Sequence, residues 1–307
     1  MKVLVTPRSF GVQDKTPFDI LKNANIRVVA NDTGGIMNED ALKAAIADCE
    51  GVIIGVDPLT ADVLSAAPEL KAIAKYGVGV DNIDMDFCEA HGIKVSRTVG
   101  ANSQAVADYT FGLMLALARK IIPIDAKCRR RDWKKITTSD VSGKTIGLIG
   151  LGAIGRNMVS RAKGFSMEVL AYDVSWNEEY AAEAGVIKTE IDDILRRSDF
   201  VCLHLPLMAE TENMIDARRL ALMKKSAFLI NTARGGLIEE EALLSALKNG
   251  EIGGAGLDAF KEEPPANEEW YTLENVVMGS HCAASTQGAS DQMSMQAAEN
   301  LIRDLGL

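Results

Sequence analysis

The 307-residue chain is short of positive charge: 33 lysines and arginines stand against 43 acidic residues, leaving a formal charge of −10 with no long basic block. Nucleic acid, whose binding needs phosphate neutralisation, is a poor partner for such a surface. Long hydrophobic runs are missing too. The densest, Tyr109 to Ala118, is about half of what a bilayer span needs and reads as a buried helix segment. The N-terminus meets Pro7 and Arg8 before any apolar stretch reaches the length of a signal-peptide core, so the chain reads as cytoplasmic, without a membrane anchor. Cysteine occurs five times, at Cys49, Cys88, Cys128, Cys202 and Cys282, with no CxxC pair and no histidine at zinc spacing. That pattern favours reduced thiols and gives no metal site. There is no tandem repeat and no low-complexity tract.

What is present is an ordinary globular balance, 47% hydrophobic and 25% charged, at a length that favours two domains. Short β-branched runs alternate with helical patterns: KVLVT, a helix near Phe18 to Asn23, IRVVA, a helix over Glu39 to Cys49, GVIIG, a helix from Thr60, LKAIAK, a helix over Met85 to His91, and IKVS. This βα rhythm predicts a parallel sheet flanked by helices. From Ser103 to Arg119 apolar residues fall densely at helical spacing, which predicts a long helix buried on more than one side, as at a domain or subunit interface. A second βα series follows, with TIGLIG, EVLAYD, DFVCLHL, AFLINT, GGAGLDAF and NVVMG. A last helix is expected over Ser285 to Leu305, and Lys261 to Glu269, KEEPPANEE, reads as a surface loop.

Gly150, Gly152 and Gly155 form GLGAIG between the strand KTIGLIG and a helix from about Ala153 to Lys163. The spacing alone is weak evidence, but its context completes it. The first glycine allows a tight turn, the second lets backbone approach a pyrophosphate, and the third permits close packing of helix on strand. The helix N-terminus offers free N–H groups to the anion. The next strand ends in Asp173, eighteen residues beyond Gly155, where a carboxylate can take the ribose hydroxyls and repel a 2′-phosphate. NAD is favoured over NADP.

Three histidines are available for acid–base chemistry. His91 sits at a helix end, where it favours the dipole. His204, at a strand end of the nucleotide domain, lines the cofactor cleft or packs behind it. His281 follows the last strand, where the chain crosses between domains. Hydride transfer to a ketone needs a proton for the developing alkoxide, and histidine, with an ordinary pKa of ~6.5, is suited to supply it. A nearby carboxylate would favour the charged ring, and Glu263 is the candidate. A guanidinium is needed to hold a carboxylate and polarise a carbonyl, and Arg234 stands at a strand's C-terminal end. A Cys282 nucleophile is the competing reading, but adjacent residues seldom align for attack, and a small packed thiol is the simpler role. The run Arg129, Arg130 and Arg131 reads as a solvated helix end or a dimer contact.

With KYGVGVDNID, ANSQAVADYTFGLML, GLGAIG, HLPLMAET, NTARGGLI, LDAFKEEPP and GSHCAAST in order, the chain resembles the D-isomer-specific 2-hydroxyacid dehydrogenases, within them the phosphoglycerate-dehydrogenase-like branch, along essentially its whole length. The resemblance implies two parallel-sheet α/β domains, Rossmann- and flavodoxin-like, with a cleft between them: residues 1–101 and 284–307 for substrate, and an inserted NAD-binding domain over 102–283. It implies Arg234, Glu263 and His281 as the catalytic trio. The cofactor set is Gly150, Gly152, Ala153, Ile154, Gly155, Asp173, His204, Pro206, Thr232, Ala233 and Asp258, with Asp258 on the nicotinamide carboxamide. Substrate is assigned to Tyr76, Gly77, Val78 and Gly79 through backbone amides, with Arg234 and His281. The expected reaction is reversible hydride transfer between NAD(H) and a small 2-hydroxy or 2-keto acid, with 3-phosphoglycerate among the candidates. A hydroxypyruvate or glyoxylate reductase and a non-catalytic NAD-sensing protein are the alternatives.

The chain departs from the family in carrying Ser280 before His281, where proline is common. It also offers only Lys75, with Ile54 nearby, where arginines commonly hold a phosphate. An anionic substrate would then rely on local donors such as Arg234 and Lys75 against an unfavourable net charge. Ending at Leu307, the chain is expected to lack the regulatory domain of some relatives. A homodimer through the helix near 103–119 is expected.

Overall fold

Every strand pairing in the chain is parallel, in a computed structural model that describes residues 1–307. In chain order the elements are β1 (Lys2–Val5), α1 (Thr16–Asn23), β2 (Arg27–Ala30), α2 (Glu39–Ile46), β3 (Gly51–Ile54), α3 (Ala61–Ser65), β4 (Ala72–Lys75), α4 (Met85–Ala90) and β5 (Lys94–Arg97). They continue with α5 (Ser103–Ala118), α6 (Ile121–Arg129), β6 (Thr145–Ile149), α7 (Ala153–Gly164), β7 (Glu168–Tyr172), α8 (Glu178–Ala184), β8 (Ile187–Lys188), α9 (Ile191–Arg197) and β9 (Phe200–Leu203). The last are α10 (Ala217–Leu220), β10 (Phe228–Asn231), α11 (Glu240–Lys248), β11 (Gly254–Leu257), β12 (Val276–Met278) and α12 (Gln287–Leu305).

The chain divides into two units, Met1–Asn102 with Ser285–Leu307, and Ser103–Ala284. The first holds a five-stranded sheet in the order β2-β1-β3-β4-β5, the flavodoxin-like arrangement. Its central strands β3 and β4 are buried throughout, while the edges β2 and β5 are exposed at both ends and half-buried between. Such continuous apolar runs are what a sheet covered on both faces requires. One face packs on Leu42, Ile46, Leu59 and Leu64, the other on Leu21 and on Ala297, Ala298 and Leu301 of α12. Caps set several helix starts more tightly than periodicity could. Asn38, Thr60, Asp84 and Thr286 each accept a backbone N–H from the first turn of α2, α3, α4 and α12. Thus Thr60 precedes its helix rather than opening it, α2 stops at Ile46 short of Cys49, and α12 begins at Gln287 rather than Ser285.

The second unit holds a seven-stranded sheet in the order β12-β11-β10-β9-β6-β7-β8, whose strand order reverses between β6 and β9. In open α/β sheets that switch point, at the carboxyl ends of the strands, is where ligands bind. The apolar density of α5 is met inside this unit: Ala107, Phe111, Met114 and Leu117 join Met158 and Val159 of α7, Leu148, Cys202 and Ile230 in one cluster. A Cβ at Gly256 of β11 would lie 3.1 Å from Leu113 Cβ, so α5 rests directly on the sheet. A second subunit is therefore not needed to explain its burial, which corrects the reason for expecting one there. No helix is long and apolar enough to cross a membrane.

Candidate active site

The residues singled out in the second unit lie just beyond strand ends: Asp173 after β7, His204 after β9, Thr232 to Arg234 after β10, Asp258 after β11 and His281 after β12. The glycine turn is shaped as a dinucleotide requires. Gly150 has φ +107°, and a Cβ there would lie 2.6 Å from the His204 carbonyl; at Gly155 it would lie 2.2 Å from the Gly150 carbonyl. At Gly152, the N-cap of α7, nothing lies within 4 Å, and no side chain caps the helix. The N–H groups of the first turn, Ala153 and Ile154 included, therefore face an open cradle that a side chain would fill and an anion can occupy. Asp173 braces the turn, taking the Leu151 N–H at 2.6 Å and the Ser175 N–H at 2.7 Å. Each of its oxygens keeps a second lone pair. His204 buries both ring nitrogens without a hydrogen-bond partner, and this burial pushes it down to about 4, so the ring is neutral at physiological pH. An open amide cradle and an orphaned imidazole beside it fit a bound dinucleotide.

The catalytic candidates Glu263 and His281 meet directly. Nδ1 of His281 lies 3.0 Å from both Oε1 and Oε2 of Glu263, which leaves Nε2 as the outward nitrogen. Burial alone would raise the Glu263 carboxyl. Hydrogen bonds from His281 and the Phe260 N–H, with the charges of His281 and Arg234, outweigh it and hold the group below its ordinary value. Arg234 is placed by a buried amide: Asn231 donates from Nδ2 to the Arg234 carbonyl at 2.8 Å and accepts the Ala233 N–H at 3.0 Å. Arg234 Nη1 donates to the Ala233 carbonyl at 2.7 Å. A Cβ on Gly235 would lie 2.0 Å from the Phe260 carbonyl carbon, so the Arg234 turn and the loop leading to Glu263 approach backbone to backbone. The glycines of ARGG were the sequence signal for that approach.

Other expected residues have local duties. Asp258, 1% exposed, accepts the N–H groups of Cys282 at 3.0 Å and Ala283 at 2.8 Å, so it anchors the turn that carries His281. That duty was not visible in sequence, which offered only a nicotinamide contact. Thr232 donates to Thr110 Oγ1 at 2.7 Å, since the Thr110 hydroxyl itself donates to the Val106 carbonyl, and so ties β10 to α5. The exposed Pro206 gives its carbonyl to Thr211. Cys282 has an acidic neighbour, Asp258 Oδ1 at 3.6 Å, rather than the electropositive setting a thiolate nucleophile needs. His91 caps α4, donating from Nδ1 to the Phe87 carbonyl at 2.9 Å. The arginines 129 to 131 are exposed at the end of α6, with Arg129 paired to Asp125.

In the first unit, the loop after β4 sorts its own amides. The Tyr76 N–H donates to the Ile54 carbonyl at 2.9 Å and the Gly77 N–H to Thr98 Oγ1 at 2.8 Å. Val78 and Gly79 keep theirs without an internal acceptor. The expectation that all four residues offer amides to a ligand thus narrows to two. The Tyr76 hydroxyl is also committed, accepting from Ser9 and donating to the Ser290 carbonyl, each at 3.0 Å. Lys75 is 6% exposed, with Nζ donating to the Gly55 carbonyl at 2.5 Å and to Asn82 Oδ1 at 2.6 Å. It braces the loop from beneath, which corrects its reading as a donor to an anionic substrate.

Residues 111–283 match the family model of the D-isomer specific 2-hydroxyacid dehydrogenase NAD binding domain. A glyoxylate reductase of Korarchaeum cryptofilum is 40% identical over 265 residues, 84% of this chain and 80% of that protein. A D-3-phosphoglycerate dehydrogenase of Methanocaldococcus jannaschii is 41% identical over 271 residues, 87% of this chain but 52% of that protein. Among solved structures, a D-lactate dehydrogenase of Aquifex aeolicus complexed with NAD and lactic acid superposes with a TM-score of 0.84 at 29% identity, covering 97% of this chain and 93% of that one. The chain belongs to the D-isomer specific 2-hydroxyacid dehydrogenase family, NAD-dependent oxidoreductases that act on a CH–OH group.

Proposed function

We propose that this chain reduces a short 2-keto acid with an uncharged tail, glyoxylate or hydroxypyruvate, to the matching 2-hydroxy acid. The observation that carries the chemistry is the His281 Nδ1 shared between both oxygens of an ionised Glu263 at 3.0 Å. NADH held at the glycine turn would supply the hydride that the carbonyl carbon needs. Arg234 pairs with the substrate carboxylate and polarises its carbonyl oxygen. Nε2 of His281 gives that oxygen its proton, while Glu263 holds Nδ1 and stabilises the imidazolium form. Asp173 accepts the adenosine ribose hydroxyls on its remaining lone pairs. In the other unit, the free N–H groups of Val78 and Gly79 are proposed to take the carboxylate.

The tail preference rests on the loops after β3, β4 and β5, which carry no lysine or arginine and present Val56, Val78 and Val99, exposed by 61%, 38% and 59%. A phosphate finds no cation in those loops, and Lys75 is turned inward. The chain is further proposed to form a homodimer. The exposed Ile121, Ile122 and Trp133, in a stretch from Arg119 to Asp140 without a buried residue, are apolar surface that a second copy would cover.

The test is a steady-state panel of glyoxylate, hydroxypyruvate, pyruvate and 3-phosphoglycerate, each with NADH or NAD and each repeated with the 2′-phosphorylated cofactor. The highest kcat/KM should fall on glyoxylate or hydroxypyruvate with NADH. A clear preference for the phosphorylated acid would overturn the tail assignment, and NADH quenching without turnover on any acid would favour a sensor. Asp173→Ala should erode the preference for NAD, and light scattering at micromolar concentration should give a dimer mass.

A further inference from the structure

Glu263 sits in a stretch that burial does not hold. From Lys261 to Glu269 no residue is buried, while Phe260 before it and Trp270 after it are seated in the core, their rings 5.8 Å apart and edge to face. Polar contacts must therefore place the carboxylate between these two anchors. Glu263 Oε1 accepts the Phe260 N–H at 3.1 Å and lies 3.0 Å from Nδ1 of His281. Where the backbone of Phe260 and Lys261 goes, the carboxylate follows.

That backbone is gripped from outside the loop. The Lys261 N–H donates at 2.7 Å to Oε1 of Glu240, the first residue of α11. This helix is a firm base, since its Leu243, Leu244 and Leu247 are buried in the same cluster as Leu229 of β10, Leu257 of β11 and Phe260. A second tie leaves from the same residue. Lys261 Nζ donates to Asn213 Oδ1 at 2.8 Å, and the Asn213 N–H donates to the Gly236 carbonyl at 2.8 Å. Both ties end on the segment that leads from Arg234 into α11, where a Cβ on Gly235 would lie 2.3 Å from the Lys261 nitrogen. The ammonium tie runs through a flexible four-carbon stem, so it restrains the loop less than a contact to the backbone itself. Glu240 supplies the backbone contact.

We propose that Glu240 is a positioning residue for proton transfer: by gripping the Lys261 N–H it fixes the backbone from which Glu263 hangs, and so sets Glu263 against His281. This rests on the reading of Glu263 as the partner of the proton donor. Arg234 has its own support in Asn231, so loosening the Glu240 tie displaces the carboxylate without releasing the guanidinium. Turnover is then the quantity at stake, because small displacements of a catalytic group cost rate, while substrate and cofactor binding are spared.

The experiment compares Glu240→Ala, Glu240→Gln, Glu263→Gln and the Glu240→Ala/Glu263→Gln double variant in the full chain. The readouts are kcat and KM for the keto acid with the highest kcat/KM, NADH affinity by fluorescence quenching, and thermal unfolding. Glu240→Ala should lower kcat about tenfold, with KM and NADH affinity within about twofold of wild type and the unfolding temperature close to it. Glu240→Gln keeps a carbonyl oxygen that can accept the same N–H, and should retain most of the rate. The double variant should be no slower than Glu263→Gln alone, because Glu240 acts through that carboxylate.

Wild-type kcat in Glu240→Ala would overturn the proposal. So would a Glu240→Gln enzyme as slow as Glu240→Ala, a double variant slower than Glu263→Gln by the full effect of Glu240→Ala, or a loss of kcat matched by equal losses of NADH affinity and stability. If Glu263→Gln keeps its turnover, the underlying reading fails instead, and the two failures are told apart.

Discussion

The two sheets share parallel pairing and burial, yet they arm their strand ends in opposite ways. Past its carboxyl ends the seven-stranded sheet carries Asp173, His204, Arg234, Asp258 and His281, side chains that titrate or bear charge. The loops after β3 to β5 in the five-stranded sheet carry no lysine, arginine or histidine; of their acids Asp57 is taken by Thr6 and the Met37 N–H and Asp84 caps α4, and what these loops offer an anion is backbone N–H. A side chain announces its chemistry in the sequence, whereas an amide does so only once its competing acceptors are known. The Gly77 N–H is lost to Thr98, twenty-one residues away, and only the fold could reveal that Val78 and Gly79 are the amides left over.

Perturbing each kind of group should separate them. The largest effect is expected at the side-chain pair. Glu263→Gln removes a carboxylate that is ionised at neutral pH and faces Nδ1 of His281. Turnover should fall about a hundredfold, within the range general acid–base groups contribute. Unchanged turnover would contradict the pairing.

On the amide side, Gly77→Ala places a Cβ at φ +129°. Reshaping that loop should raise KM for the keto acid some ~10-fold while leaving NADH affinity unchanged, as strain of 1–3 kcal/mol implies. A fall in NADH affinity instead would show that the loop serves the cofactor. Gly152→Val tests the amide cradle at α7. A Cβ there meets no protein atom within 4 Å, so the unfolding temperature should hold while NADH affinity drops about tenfold. Unchanged affinity would mean that the pyrophosphate lies elsewhere.

The smallest effect concerns stability. His204 is held at about 4 in the fold by burial, against an ordinary 6.5 in the unfolded chain. Above 6.5 both states are neutral and the contribution is intact. As pH falls from 6.5 toward 4, the unfolded chain takes a proton that the folded one refuses, and stability drops by up to roughly 3 kcal/mol. His204→Leu should flatten that part of the curve in urea unfolding, and an unchanged slope would show that the ring accepts a proton in the folded protein.

How much of this was legible in the sequence follows from how local each cause is. The GLGAIG turn could be read because strand, turn, helix and acid lie within about thirty residues and each glycine has its own steric reason. Arg234, Glu263 and His281 could be named from residue type and strand-end position. Their meeting depends on the neighbouring registers of β10, β11 and β12, and on the backbone approach at Gly235, which no spacing encodes. Lys75 misled because a lysine near a proposed anion site reads as a donor, whereas here it satisfies buried carbonyl oxygens. Asp258 has a further duty that residue type does not reveal, since a buried acid beside a strand end also anchors amides. The dense α5 was read as an interface although its own sheet and α7 cover it.

The central claim is that His281, backed by Glu263, moves the proton while the rest of the second unit holds the dinucleotide. Its most direct measurement is the kcat of His281→Ala for glyoxylate reduction beside its NADH affinity by fluorescence quenching. The account requires kcat to fall at least about a hundredfold with NADH affinity within about twofold of wild type. Retained turnover, or an equal loss of both quantities, would contradict it.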